Sequence, residues 1–129
     1  MPIQTLVEGE DLVVFRVDGG VTAEQAVDAI RYHYARIPTK FCVWDLIEAS
    51  LSEISHDSFQ MIISAVAEFA DARGPGARTA LVVDGEMNAI LAKALAAQVQ
   101  ADKLSIETRV FRDRQTARDW LRNQSDTLH

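Results

Sequence analysis

The hydrophobic positions of the chain follow two periods, one typical of strands and one typical of helices. Short apolar or alternating runs predict strands at residues 3–8, 12–17, 41–46, 78–84 and 105–111. Apolar residues that recur every three or four positions predict helices at residues 22–37, 55–72, 86–101 and 113–122. Strands that alternate with helices favour a mostly parallel sheet with right-handed connections.

The first two predicted strands are separated only by a short turn that contains Gly9. Such spacing is typical of a hairpin, so the first strand should run antiparallel to the second. We therefore predict an α/β fold with a five-stranded mixed sheet, in which the first strand is antiparallel and the rest are parallel, and four helices. Residues 1–129 form a single domain in this prediction, with a frayed tail at 124–129.

Residues 41–46 form the most apolar of the predicted strands and are expected to lie at the centre of the sheet. Phe41 and Val43 would face one side, and Cys42 and Trp44 the other, so both faces should be covered. Asp45 interrupts this run near its carboxyl end, where open α/β sheets bind their ligands.

Several helix ends carry recognisable signals. Thr22 and Gln25 have the spacing of a capping box, and Ser55 is the predicted N-cap of the second helix. In the helix at 86–101, Met87, Ile90 and Leu91 are expected to face the core, and the alanine-rich sides mean that the helix is either deeply buried or available to a partner.

Composition and charge exclude several classes of function. The chain has a net charge of −6 and a pI near 4.9, which argues against nucleic acid and anionic lipid surfaces as partners. A single cysteine, Cys42, excludes an internal disulfide and a thiolate metal cluster. Neither a signal peptide nor a membrane span of about 20 apolar residues is visible, so a cytoplasmic protein is expected.

Motifs of common enzymes are missing from the sequence. It has no His-Glu-x-x-His, no Gly-x-Ser-x-Gly and no glycine-rich nucleotide fingerprint. The sequence therefore predicts a non-enzymatic domain without a cofactor. One alternative is a metal-dependent enzyme, since Asp45 and Asp84 end neighbouring strands and hard cations bind carboxylates. Strand-end aspartates also cap loops and helices, which would need no metal.

A second alternative is a carrier of a small apolar or lipid ligand. A crevice between the sheet and the helices at 55–72 and 86–101 would be lined by Trp44, Asp45, Phe59, Ile63, Met87 and Leu91. The same residues would equally serve as ordinary core. A carrier requires a cavity of several hundred Å³.

Three arginines spaced four apart, Arg114, Arg118 and Arg122, form a basic stripe on the last helix. The stripe is either a docking surface for an acidic partner or a solvated helix face on which acidic residues interleave.

Short stretches along the chain resemble the STAS / SpoIIAA-like superfamily, in particular its uncharacterised bacterial single-domain branch. The resemblance rests on Asp45-Leu46 at a strand end, Ser55 and Ser58 at the next helix start, and residues 79–84 before a helix. Residues 109–113 and 117–121 add to it.

The resemblance implies a regulatory or protein-interaction domain like the anti-sigma factor antagonists. In those proteins a partner kinase phosphorylates a serine in an aspartate, serine, serine, glycine pattern at the helix after the central strand. Asp57-Ser58 matches the first half of this pattern, and Phe59 and Gln60 replace the second half. Ser58, and next Ser55, are thus the phosphorylation candidates, and an anti-sigma or kinase-like protein is the implied partner. Sec14-type lipid carriers are likened to the same fold.

A homodimer is also expected. The alanine-rich helix side would bury itself against a second copy, and so would a sheet face left bare if all helices packed on the other side.

Overall fold

Ten strands and helices follow one another in the computed structural model, which describes residues 2–55, 57–102 and 104–122. The predicted frayed tail, 124–129, lies outside the described residues. The elements are β1 (Ile3–Glu8), β2 (Leu12–Gly20), α1 (Ala23–Tyr34), β3 (Phe41–Ser50), α2 (Phe59–Glu68), α3 (Ala70–Arg73), β4 (Arg78–Val83), α4 (Glu86–Ala101), β5 (Glu107–Phe111) and α5 (Arg114–Arg122).

The strands form one five-stranded sheet in the order β1-β2-β3-β4-β5. β1 pairs antiparallel with β2, and the other neighbours are parallel, which confirms the predicted mixed sheet. β3 lies at the centre, where Trp44 is registered between Phe15 of β2 and Leu81 of β4.

Two strands are longer than the sequence predicted. β2 continues beyond its predicted end at residue 17 through residues 18–20, which pair with residues 48–50 of β3. The register shifts between Arg16 and Asp18, and glycine inside a strand commonly accompanies such a bulge. Asp45 consequently lies inside β3, with further paired residues after it.

Helices cover both faces of the sheet. α1, α2 and α4 pack on the face that carries Phe15, Cys42 and Leu46. α5 packs on the opposite face through Ala117 and Leu121, against a group of strand residues: Val14, Val43, Ala80 and Val82. The sheet face expected to be bare for a second copy is therefore covered by the chain's own helix.

The predicted capping box at the start of α1 is confirmed. The Gln25 main-chain N–H donates to Thr22 Oγ1 at 3.2 Å, and Thr22 N–H donates to Gln25 Oε1 at 2.9 Å. The second predicted helix differs, because it begins at Phe59 and its N-cap is Ser58, not Ser55. It also breaks at Phe69, where φ is −112° and ψ is 8°, so the described chain has α3 as an additional helix and five in all.

The predicted orientation of α4 is wrong for Met87 and Ile90 and correct for Leu91. Met87 is 64% and Ile90 59% exposed, whereas Leu91 packs against the core. Ala89 and Ala92 are buried against the sheet beside it. The part of the alanine-rich side that carries these two residues is thus occupied within the chain.

Candidate functional site

The loop at residues 51–58 connects the central strand to α2 at the edge of the sheet where the parallel strands end, called here the carboxyl edge. Asn88 of α4 holds the start of this loop. Its Nδ2 donates to the Ala49 carbonyl at 2.8 Å, and its Oδ1 accepts from the Leu51 N–H at 3.3 Å. The sequence analysis did not single out Asn88, although a lone amide in the first turns of an apolar helix is a usable signal.

The structure brings the two predicted serines together. The hydroxyls of Ser55 and Ser58 are 2.9 Å apart, and the Ser58 N–H donates to Ser55 Oγ at 3.2 Å. Ser58 makes no side-chain cap bond to α2, because its hydroxyl is paired with that of Ser55. Ser55 is exposed and Ser58 partly exposed, so a modifying enzyme can reach this pair.

The surroundings of the serines are acidic. Glu53 and Asp57 are exposed on the same loop, which carries no lysine or arginine. Glu53 also approaches the end of β2, since a Cβ placed on Gly20 would lie 3.3 Å from Glu53 Oε2. A further negative charge here would therefore meet existing negative charge.

Asp45 does not belong to this site. It is only 3% exposed, and its Oδ2 accepts from Arg114 Nε at 2.8 Å and lies 3.5 Å from Arg16 Nε. The hydrogen bond to Asp45 raises the pKa of Arg114. Because alternate strand residues face opposite ways, Asp45 faces α5 while Trp44 faces the other helices, so its predicted place in a crevice with Trp44 is wrong.

The alternative of a metal at Asp45 and Asp84 gains no support. Asp45 is held by arginines, and Asp84 is exposed. Within residues 2–55, 57–102 and 104–122, no group of three histidine, cysteine or acidic residues is arranged to hold a metal ion.

Arginines of the last helix are engaged inside the molecule. Arg118 donates from both Nη atoms to the two carboxylate oxygens of Glu8 at 2.9 Å each, and Arg114 binds Asp45. This hydrogen bonding from Arg118 lowers the pKa of Glu8. The predicted basic stripe therefore serves mainly to fasten α5 to the sheet.

A cavity of about 90 Å³ lies between the sheet and helices α1, α2 and α4. Trp44, Phe59 and Leu91 line it, as predicted. Ile63 instead packs against Phe59 and Val99, and Met87 points into solvent, so these two residues were wrongly assigned to the crevice.

One end of this cavity is polar. Tyr34 is 6% exposed, and its hydroxyl has no hydrogen-bond partner among the described residues. The side chains of Cys42 and Thr39 lie close enough to affect the pKa of this hydroxyl, but neither has the distance and angle of a hydrogen bond to it. Burial raises the pKa of Tyr34 well above its usual value and also raises that of the Cys42 thiol.

Arg73 closes the same end. Its guanidinium carbon is 5.2 Å from the centre of the Tyr34 ring, and the residue is 6% exposed. Sequence reasoning missed both polar groups, because Tyr34 fitted the apolar stripe of α1 and Arg73 marked the end of a predicted helix.

Comparisons with known proteins identify the fold. No protein-family model matches the chain, and a search of curated proteins finds no match. Among solved structures, the chain is similar to an uncharacterised DUF3478-family protein with a SpoIIAA-like fold from Shewanella loihica PV-4, with a TM-score of 0.56 and 19% identity over 92% of this chain and 91% of that one. The fold is SpoIIAA-like.

The anti-sigma factor antagonist SpoIIAA in its unphosphorylated form is similar as well. The TM-score is 0.56, with 14% identity over 93% of this chain and 97% of that chain. The resemblance predicted from the sequence is thus confirmed for the fold. In the described part of this SpoIIAA-like domain, no helix has the length and apolar character needed to cross a membrane.

Proposed function

We propose that this SpoIIAA-like domain is a non-enzymatic regulatory module that binds a protein partner through its carboxyl edge, and that phosphorylation of Ser58, or of Ser55, switches this binding. The observation that carries the proposal is the Ser55–Ser58 hydroxyl pair, with its 2.9 Å separation, on the loop between the central strand and α2. Similarity in fold to an anti-sigma factor antagonist supports the same assignment.

Phosphorylation would change this loop in two ways. A phosphate adds about −1.5 to −2 charges at neutral pH. The charge would repel Glu53 and Asp57, and the bulk of the phosphate would break the hydrogen bond between the two serines. The helix dipole at the start of α2 would favour the added negative charge there. The loop would then present a different surface.

The partner surface would include apolar side chains beside the serines. Met61 is 45% exposed in the first turn of α2, and Met87 and Ile90 are exposed at the start of α4. Both helices begin at the carboxyl edge, so these residues lie on the same end of the domain as the 51–58 loop. Methionine adapts its shape readily, which suits it to a protein interface.

A lipid carrier is less well supported. Ligand pockets for molecules of drug or lipid size usually measure about 300–1,000 Å³. The cavity of about 90 Å³ is too small for an acyl chain without a large rearrangement of the core.

Mass spectrometry of the protein from its native cells tests the switch. We expect one phosphate within residues 55–58, and the phosphomimetic variant Ser58→Asp should alter partner recovery relative to the wild type. Ser64→Asp is the matched control, because Ser64 is exposed on α2 outside this loop.

Two results would contradict the proposal. One is the absence of phosphate from Ser55 and Ser58 under all growth conditions. The other is an identical set of bound proteins for the wild type, Ser58→Asp and Met87→Glu.

A further inference from the structure

The cavity beneath the helices has an apolar body and one polar end. Its apolar walls come from the sheet and from three helices, with Trp44, Leu81, Leu95 and Ile62 among the lining residues. Its polar groups come from Cys42, Thr79 and Thr108, which share one row across β3, β4 and β5, together with Tyr34 and Arg73. The cavity is therefore amphiphilic along its length.

The Tyr34 hydroxyl is the group in this cavity that lacks a hydrogen-bond partner among the described residues. A buried tyrosine usually bonds its hydroxyl, because an unsatisfied buried polar group is destabilising. Tyr34 is only 6% exposed, and it lines the cavity. An acceptor atom inside the cavity would satisfy it.

Arg73 adds a positive charge without a carboxylate partner. It donates to the carbonyls of Thr39, Lys40 and Arg78 and to the Thr79 hydroxyl, at 2.9–3.0 Å. These bonds use four of the five N–H groups of a guanidinium. No carboxylate within ion-pair distance of Arg73 is found in the described ranges, so the polar end is electropositive.

We propose that this cavity binds a small apolar molecule that carries one hydrogen-bond acceptor, with the acceptor on the Tyr34 hydroxyl and the apolar part against Trp44 and Leu95. This proposal does not rest on the serine switch. Its volume of about 90 Å³ sets the size of the ligand. An engineered cavity of about 150 Å³ holds benzene, which has six non-hydrogen atoms, so by proportion the ligand here has about three or four.

The ligand would also touch the loop that carries the serines. Leu51, Ile54 and Phe59 line the cavity, and they flank Ser55 and Ser58 in sequence. Occupancy would therefore add apolar contacts to both ends of this loop and slow its opening.

Methyl NMR titration of the full chain with three probes of three or four non-hydrogen atoms tests the proposal. The probes are acetate, acetamide and cyclopropane. We expect shifts at Ile30, Leu81 and Leu95, which line the cavity, and none at Val14 or Leu121 on the opposite sheet face. A preference for acetate would identify a carboxylate ligand, and a preference for acetamide a neutral carbonyl.

Tyr34→Phe separates the polar end from the cavity as a whole. Loss of one neutral hydrogen bond should weaken binding of the acceptor-bearing probe by about three- to tenfold. Binding of cyclopropane, which has no acceptor, should not change. Tyr32→Phe is the matched control, because Tyr32 lies on the same helix and is 66% exposed.

Outcomes against the proposal are equally clear. Equal affinity of Tyr34→Phe and wild type for acetate and acetamide would overturn the role of the hydroxyl. If no probe shifts the lining methyls at millimolar concentration, the cavity holds only water and the site does not exist. Unfolding curves of Tyr34→Phe and Tyr32→Phe show whether each variant is folded in these titrations.

Discussion

Arg73 gives the sharpest test of how this fold is held together. Its guanidinium connects α3 to the chain just before β3 and to the start of β4. The substitution Arg73→Met keeps much of the apolar volume and removes every donor. We expect the free energy of unfolding to fall by about 2–4 kcal/mol.

This magnitude follows from the buried polar groups that the substitution leaves without a hydrogen-bond partner. The Lys40 carbonyl keeps one hydrogen bond, which it accepts from the Arg78 N–H at 3.2 Å. The Thr39 carbonyl and the Thr79 hydroxyl lose the partner that Arg73 provides. Each buried unsatisfied group costs about 1–3 kcal/mol. The substitution also removes a buried charge, whose desolvation on folding costs several kcal/mol, and this offsets part of the lost stability.

Urea unfolding followed by tryptophan fluorescence measures the effect. Arg31→Met is the matched control, since the Arg31 side chain is 56% exposed and pairs with Glu68 at 3.4 Å on the surface. Such a pair is worth less than about 1 kcal/mol. Arg73→Lys should fall between wild type and Arg73→Met, because one ammonium cannot reach all four acceptors. Equal stability of Arg73→Met and Arg31→Met would refute the reasoning.

Three further perturbations have defined outcomes. In thermal unfolding, Ala92→Leu should destabilise the domain by about 1–3 kcal/mol, because the buried site of Ala92 would be overpacked. Met87→Ala should cost less than about 0.5 kcal/mol, because Met87 is exposed. The opposite order would mean that α4 is rotated. Burial, together with the charge of Arg73, lowers the pKa of His33 below 6.5. As the pH falls below 6.5, His33 therefore binds a proton in the unfolded chain before it does so in the native state. Stability should thus decline as the pH falls from 6.5 towards 5, and less so in His33→Gln; parallel pH curves would contradict this. Glu8→Gln should lower the free energy of unfolding by less than about 1 kcal/mol, because the ion pair with Arg118 is partly exposed. Unfolding at low and high ionic strength should show that the salt dependence of stability due to this ion pair is lost.

The sheet could be predicted from the sequence because each strand has its own signal. Both faces of residues 41–46 are apolar, and this correctly placed β3 between two parallel neighbours. The strand end predicted at residue 17 was wrong because the Asp-Gly-Gly that follows, read as a turn signal, is also typical of a bulged strand end. Local patterns do not distinguish a turn from a bulge when the partner strand is unknown.

The orientation of α4 shows a second limit. Both sides of this helix are apolar, with methionine, isoleucine and leucine on one side and alanines on the other. Hydrophobicity alone favours the larger residues for the core. In the folded domain Leu91 packs towards the core beside Ala89 and Ala92, whereas Met87 and Ile90 point away. The sequence pattern does not show which of the large residues shares the buried side with the alanines.

The polar end of the cavity could not be predicted for a similar reason. Tyr34 and Arg73 are 39 positions apart in the numbering, and each fits an ordinary local role at a helix end. They meet only because the break at Phe69 redirects the chain into α3. The serine pair was predictable, since three positions separate Ser55 from Ser58 at a helix start.

The order of synthesis matters for α5, because this helix follows in sequence all the strands that it covers. Until residues 114–122 have been synthesised, the sheet face with Val14, Val43 and Val82 has no helix to cover it. Arg118 then reaches back across 110 residues to Glu8. Nascent chains therefore expose an apolar surface before α5 has been made, and aggregation during translation is a risk at that stage.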